Sequence, residues 1–230
     1  MSMEKLSTGI EGLDTLLNGG IPKGHVVAVV GSFGTGKTTF GMQFLNEGLK
    51  NGEKAMYLSL EEDVESILET ALSFGWDFQS YMDSNTLSIM KIDPGKANEA
   101  LKKIDEMKTF IKQFGASRFV LDSASLLEMT FDSRERARTS LFEMARMVKG
   151  AGATGIFTAE AEPNNPDYSR DGIVEYTADG VILLKYELSG GEVQLSLRVV
   201  KMRRTAHSRS RKPYEIGNTG ITVKTHSEVF

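Results

Sequence analysis

The 230-residue sequence contains no cysteine. This excludes a disulfide frame, a thiolate metal site and a thiol nucleophile. It also lacks a long apolar run: the longest compact one is Val26–Val30, far short of the roughly 20 residues that cross a bilayer. The opening segment MSMEKLSTGIEGLD has no apolar stretch of the kind a signal peptide needs. There is no excess of positive charge, since 27 Lys and Arg stand against 31 Asp and Glu, for a net charge of −4. A global basic field for nucleic acid is thereby excluded, and any such binding must come from a local patch. Internal repeats, low-complexity tracts and Pro- or Gly-rich linkers are missing as well. With 40% apolar and 25% charged residues, neither disorder nor a fibrous repeat fits. The expectation is one soluble, cytoplasmic domain over residues 1–230, without a membrane partner.

Short apolar or β-branched runs alternate with helical periodicity. The strands expected are Val26–Val30, Ala55–Leu60, Thr86–Ile92, Arg118–Asp122, Thr154–Glu160, Gly180–Leu184 and Gln194–Met202. The helices expected are Thr38–Lys50, Val64–Phe74, Asn98–Phe114 and Arg134–Lys149. In the last of these Ser133 is placed to cap the start, Gly150 follows the end, and Ala137, Leu141, Met144, Ala145 and Val148 recur at helical spacing. Such alternation predicts an α/β fold with a mainly parallel sheet flanked by helices. After residue 176 strands follow one another across Ser189-Gly190-Gly191 and Gly217–Gly220, which predicts a C-terminal antiparallel extension. Ala161–Tyr176, with two prolines, reads as a long loop. The single Trp76 reads as core.

Between the first strand and the first helix lies Gly31-Ser32-Phe33-Gly34-Thr35-Gly36-Lys37-Thr38, a full match to G-x-x-x-x-G-K-[ST]. Glycines let successive backbone N–H groups turn inward on a polyphosphate, and the helix start adds its positive end. The nucleotide-binding residues expected are Gly31 to Thr38 together with Thr39; Lys37 reaches the phosphates and the Thr38 hydroxyl ligates Mg²⁺. A divalent ion so held needs a carboxylate at the end of a neighbouring strand. Arg118-Phe-Val-Leu-Asp122 ends in one, so Asp122 is the second metal residue expected. Hydrolysis further requires a group that orients or deprotonates water. Glu61, Glu62 and Asp63 follow the strand Ala55–Leu60. Asp63 suits a helix cap, and acidic residues favour a first helical turn in any case. By chemistry alone Glu61 stands open between that role and a base.

Thr8-Gly9-Ile10-Glu11-Gly12-Leu13-Asp14 through Gly19-Gly20-Ile21-Pro22 leads straight into the phosphate loop, and Phe119-Val-Leu-Asp122-Ser123-Ala124-Ser125 follows later. These segments resemble the RecA/RadA/KaiC superfamily of P-loop ATPases, particularly single-domain archaeal KaiC-like proteins and RadA paralogues. The resemblance runs from about Leu6 to the C-terminus and implies a RecA-like domain using ATP and Mg²⁺. Glu61-Glu62 is similar to the paired glutamates of KaiC-type enzymes, which implies that Glu61 activates water with Glu62 as helper. Lys201-Met202-Arg203-Arg204-Thr205-Ala206-His207 is similar to the K-x-R-G-T-x-H segment of that family. There the first two cations reach a neighbouring subunit's phosphate, which implies catalytic roles for Lys201 and Arg203. Arg204 stands where the family usually carries glycine. The alternation of Leu195, Leu197 and Val199 runs on to Lys201 and Arg203, as for a finger leaving the core. An edge strand blunted by cations gives the same pattern.

No Asn-Lys-x-Asp element is present to read guanine, so ATP is the nucleotide expected. Seven of the 27 cations fall within residues 198–212 with no acid among them, including Arg204, Arg209, Arg211 and Lys212. His207, Ser208 and Ser210 add donors, and Tyr214 is placed to stack on a base. This run fits a single-stranded DNA site, a subunit interface in a ring or filament, or a solvated strand. The acidic character of Ala161–Tyr176 argues against recombinase-like DNA binding there. Arg134, Arg136 and Arg138 read as a solvated helix face. Two functional expectations follow. One is an ATPase that binds single-stranded DNA, or a recombinase partner, and modulates recombination or repair. The other is a KaiC-like signalling ATPase or autokinase that switches partners by nucleotide state. A small-molecule kinase is a third, without an evident lid or acceptor site.

Overall fold

The computed structural model describes residues 3–93, 106–107, 109–169, 172–189 and 192–227. In chain order it contains β1 (Lys5–Leu6), α1 (Leu13–Leu16), β2 (Ile21–Pro22), β3 (Val26–Gly31), α2 (Lys37–Lys50), β4 (Ala55–Ser59), α3 (Val64–Ser73), α4 (Phe78–Asp83) and β5 (Leu87–Lys91). There follow β6 (Arg118–Asp122), α5 (Ala124–Met129), α6 (Arg134–Gly150), β7 (Thr154–Glu162), β8 (Asn165–Ser169), α7 (Ile173–Thr177), β9 (Gly180–Ser189), β10 (Glu192–Met202), β11 (Lys212–Gly217) and β12 (Gly220–Val223). Of the expected helix Asn98–Phe114, residues 106–107 and 109–114 are helical, and the others lie outside the described residues.

The main sheet has the order β12-β11-β10-β9-β3-β7-β6-β4-β5, with β8 beside β7. β9, β3, β7, β6, β4 and β5 are parallel, and β9 to β12 form the antiparallel extension. Every residue of β3 is buried, which is why it reads as an unbroken apolar run rather than an alternating one. One face of the sheet packs Val27, Val29 and Tyr57 against Phe40 and Phe44 of α2. The other packs Val26, Val30 and Leu121 against Leu141, Met144 and Val148 of α6. Ser133 caps α6 by accepting the Arg136 N–H at 3.2 Å. Trp76 is core at 4% exposure. Among the described residues no helix is long and apolar enough to cross a membrane.

Three expectations are corrected. The stretch Ala161–Tyr176 is not a plain loop: β7 runs on to Glu162, β8 folds back on it, and α7 begins at Ile173. The strand carrying Asp122 is not beside the loop strand, because β7 lies between β3 and β6. The alternation into Lys201 and Arg203 is broken by a bulge. Val199 pairs with Ile182 but Lys201 with Val181, so Val200 is the extra residue. Ile182 belongs to the α2 side of the core and Val181 to the α6 side. The bulge therefore turns Lys201 onto the face opposite Leu197 and Val199.

Candidate nucleotide site

β3 delivers the chain to the phosphate loop and α2 carries it away. Gly34 and Gly36 have φ of 72° and 83°, the left-handed region glycine enters without steric cost. A Cβ on Gly36 would lie 2.6 Å from Ile216 Cδ1, and one on Gly34 2.6 Å from Tyr186 Oη. The loop is thus backed by β11 and β9, and only hydrogen fits between. Tyr214 completes the backing by donating its hydroxyl to the Thr35 carbonyl at 2.5 Å. It is 2% exposed, and burial pushes its phenol far above the usual value. The expected base-stacking role of Tyr214 is therefore corrected: the ring is a strut beneath the loop.

Lys37 Nζ donates to the Ser32 carbonyl at 3.0 Å, across the mouth of the loop. Burial pushes its ammonium down, while the charges of Asp122, Glu61 and Glu160 hold it up. Thr38 opens the first turn of α2, and its hydroxyl donates to Asp122 Oδ2 at 2.7 Å. The α2 crossing thus joins residues whose strands are not adjacent. Asp122 is 2% exposed and its charge is met by two further hydroxyls. Tyr57 donates to Oδ2 at 2.5 Å and Thr158, on the intervening strand β7, to Oδ1. Burial, then the Asp122 charge and hydrogen bond, push the Tyr57 phenol well above its ordinary value.

The Glu61 carboxylate accepts from the Ser123 hydroxyl at 2.8 Å. Partial desolvation pushes its pKa up; Asp122 and Glu160 add to this, while the Ser123 bond and Lys37 oppose it. Glu62 turns away, with Oε2 accepting from Ser66 at 2.7 Å in the first turn of α3. Asp63 caps that helix by accepting the Ser66 N–H at 2.9 Å. Ser32, Phe33 and Thr39 complete the expected loop set, with Phe33 87% exposed and Thr39 buried.

Lys201 and Arg203 are not brought to this site. Arg203 N–H donates to the Asp179 carbonyl, and Asp179 N–H to that of Val26, at the start of β3. The phosphate loop begins at its end, about 17 Å away for five residues of strand. Lys201 Nζ donates to the Glu175 carbonyl at 2.8 Å. Burial and the Arg203 charge push its ammonium down. The basic run is divided likewise. Arg203 and exposed Arg204 stand near the start of β3, whereas Lys212 pairs with Leu197 at the loop end. Lys212 is 8% exposed, which leaves little of it for a phosphate. Arg211 is paired with Glu187 at 3.1 Å, and Arg209 is exposed. Arg204 has φ of 60°, a left-handed conformation that costs a residue with a Cβ.

A loop of turned glycines, a lysine beside it and a hydroxyl 2.7 Å from a buried carboxylate have the donors and charge that could hold a polyphosphate with a divalent cation. The family described as ATPase: KaiC matches residues 6–228. The chain belongs to the KaiC-like ATPase family. A UPF0273 protein of Methanopyrus kandleri is 35% identical over 97% of this chain and 93% of its own length. The circadian clock oscillator protein KaiC of Prochlorococcus marinus is 31% identical over 97% of this KaiC-like chain, which spans 45% of that protein. The crystal structure of a KaiC-like protein from Pyrococcus horikoshii superposes with a TM-score of 0.86 at 33% identity, covering 96% of this chain and 99% of the other.

Sequence reasoning missed Tyr57, Thr158 and the buttress of Tyr214 and Ile216. A phenol inside an otherwise apolar strand is the one available signal, since a buried hydroxyl requires a partner.

Proposed function

We propose that the chain is a Mg²⁺-dependent ATP-binding protein with slow ATPase activity, its site completed by Lys201 and Arg203 of a neighbouring copy. The observation that carries this reading is the Thr38 hydroxyl 2.7 Å from Asp122 at the foot of the phosphate loop. Oxygen ligands few in number, with room for phosphate and water, suit magnesium. Among the described residues no cluster of three His, Asp or Glu offers an alternative cage. Loop N–H groups and Lys37 hold the phosphates, and Thr38 and Asp122 hold the ion. When bound, Mg²⁺ supplies charge neutralisation on the transferring phosphoryl oxygens. Glu61 orients the attacking water and accepts its proton, with Glu62 held back on Ser66.

The finger residues support assembly because they stand too far from their own loop to serve it. A heterologous, head-to-tail contact puts them on the next subunit's phosphate. Turnover per molecule is expected to rise with protein concentration. Lys37→Ala and Arg203→Ala are each expected to be inactive, and a mixture of the two to regain turnover, since some interfaces pair an intact loop with an intact finger. A cation so placed contributes about 10³–10⁵ in rate. Flat turnover across the assembly range, with Arg203→Ala fully active, contradicts the in-trans site.

The division of the basic run takes support from the single-stranded DNA and recombination reading. Exposed Arg204 and Arg209 are what remain for it. Replacing both with Ala should abolish oligonucleotide binding at low salt, and a wild type that binds none removes this reading. The family match supports the partner-switching reading instead, and phosphate retained on Ser or Thr after incubation with ATP is the result that favours it.

A further inference from the structure

A carboxylate offers about four lone-pair sites. On Asp122 three are taken: Thr38 and Tyr57 fill Oδ2, at 2.7 and 2.5 Å, and Thr158 takes one on Oδ1. One site, on Oδ1, is left over. The Thr38 hydroxyl can donate its proton to Asp122 while its own lone pair faces an ion, so its bond survives metal binding. The Tyr57 bond survives as well, because the ring is locked. Tyr57 is 1% exposed, sits on β4 in the α2-side core, and pairs with Val120, two residues before Asp122 on the same face of β6. Phenylalanine fills that core position equally well, so packing leaves the hydroxyl unexplained.

We infer that Tyr57 is a positioning residue that restricts Asp122 to a single edge toward the metal and thereby sets the preference for magnesium over larger cations. This rests on the nucleotide reading above. Magnesium demands near-ideal octahedral geometry, whereas calcium accepts bidentate carboxylates and irregular shells. Without the phenol a second site opens on Oδ2. The carboxylate is then free to turn both oxygens toward the ion, an arrangement calcium tolerates better than magnesium.

The test is calorimetric binding of a non-hydrolysable ATP analogue to wild type and Tyr57→Phe in MgCl₂, in CaCl₂ and in chelator. For Tyr57→Phe the affinity gain from magnesium is expected to fall about tenfold, the scale of one hydrogen bond to a charged group. The gain from calcium should hold or rise, and the affinity in chelator should not change. Thr158→Val frees Oδ1 but leaves the phenol on Oδ2, and is expected to keep the magnesium preference. A melting scan separates folding from positioning: a purely structural Tyr57 lowers the melting temperature and all three affinities together. Two results overturn the inference: that uniform loss, or a Tyr57→Phe protein with the wild-type magnesium-to-calcium ratio. A wild type whose nucleotide affinity ignores metal overturns the nucleotide reading itself.

Discussion

At the scale of single residues, Glu61 and Arg204 make opposite kinds of claim. Glu61 acts as a base only when ionised, and desolvation followed by the neighbouring Asp122 and Glu160 charges raise its pKa above the ordinary 4.5. With Glu61 as the proposed base, turnover is expected to fall as pH drops through that raised value. The acid limb of the kcat/KM profile is expected above the usual glutamate range, and Glu61→Gln should abolish the limb and cost about 10²-fold or more in rate. An unchanged limb in Glu61→Gln assigns the titration elsewhere. Arg204 tests strain instead. Its left-handed φ of 60° costs a residue with a Cβ about 1–2 kcal/mol. The gain on Arg204→Gly is partly offset by the greater freedom of glycine in the unfolded chain. The net expectation is a stabilisation of about 0.5–1 kcal/mol, read as a higher denaturant midpoint with an unchanged slope. A lower midpoint would show that the side chain contributes more than its backbone costs.

Among the elements, the end of β10 is decided by the bulge at Val200, which turns Lys201 to the α6 face. There Asp179 gathers three partners. It accepts from Lys149 at 2.8 Å and from the Val26 N–H at 3.1 Å, and pairs with Arg203 at 3.4 Å. Burial pushes the Asp179 carboxyl up, but Lys149, Val26 and His25 together hold it below its ordinary value. A depressed carboxyl contributes stability that is present above its unfolded pKa and lost as pH falls through the folded one. Asp179→Asn is therefore expected to be less stable at neutral pH by about 1–3 kcal/mol, the cost of a lost charged partner. Its stability should also lose part of the decline between about pH 4 and lower values seen in wild type. Parallel acid-denaturation curves for the two proteins would show that the cluster carries no linkage.

Across the whole molecule, legibility in the sequence follows from how local each determinant is. β3, the phosphate loop and α2 read directly, because glycine spacing and an unbroken apolar run are properties of consecutive residues. β6 ending at Asp122 reads equally well, as does the Ser133 cap of α6. The bulge is only half legible: the adjacent Val199 and Val200 break the alternation and the apolar phase passes to Met202, but only pairing with β9 identifies the extra residue. The same holds for Tyr214 and Tyr57, whose meaning lies in a carbonyl and a carboxylate far away in sequence. The hairpin and helix within Ala161–Tyr176 are short, and their stability comes from packing on β7 and α6 rather than from their own propensity.

Titration of a non-hydrolysable ATP analogue into the protein, with and without magnesium, tests the central claim most directly. The account predicts saturable one-to-one binding that weakens strongly on chelation of the metal and is lost in Lys37→Ala. Binding that is absent from the wild type, or equally tight in Lys37→Ala without magnesium, would contradict it.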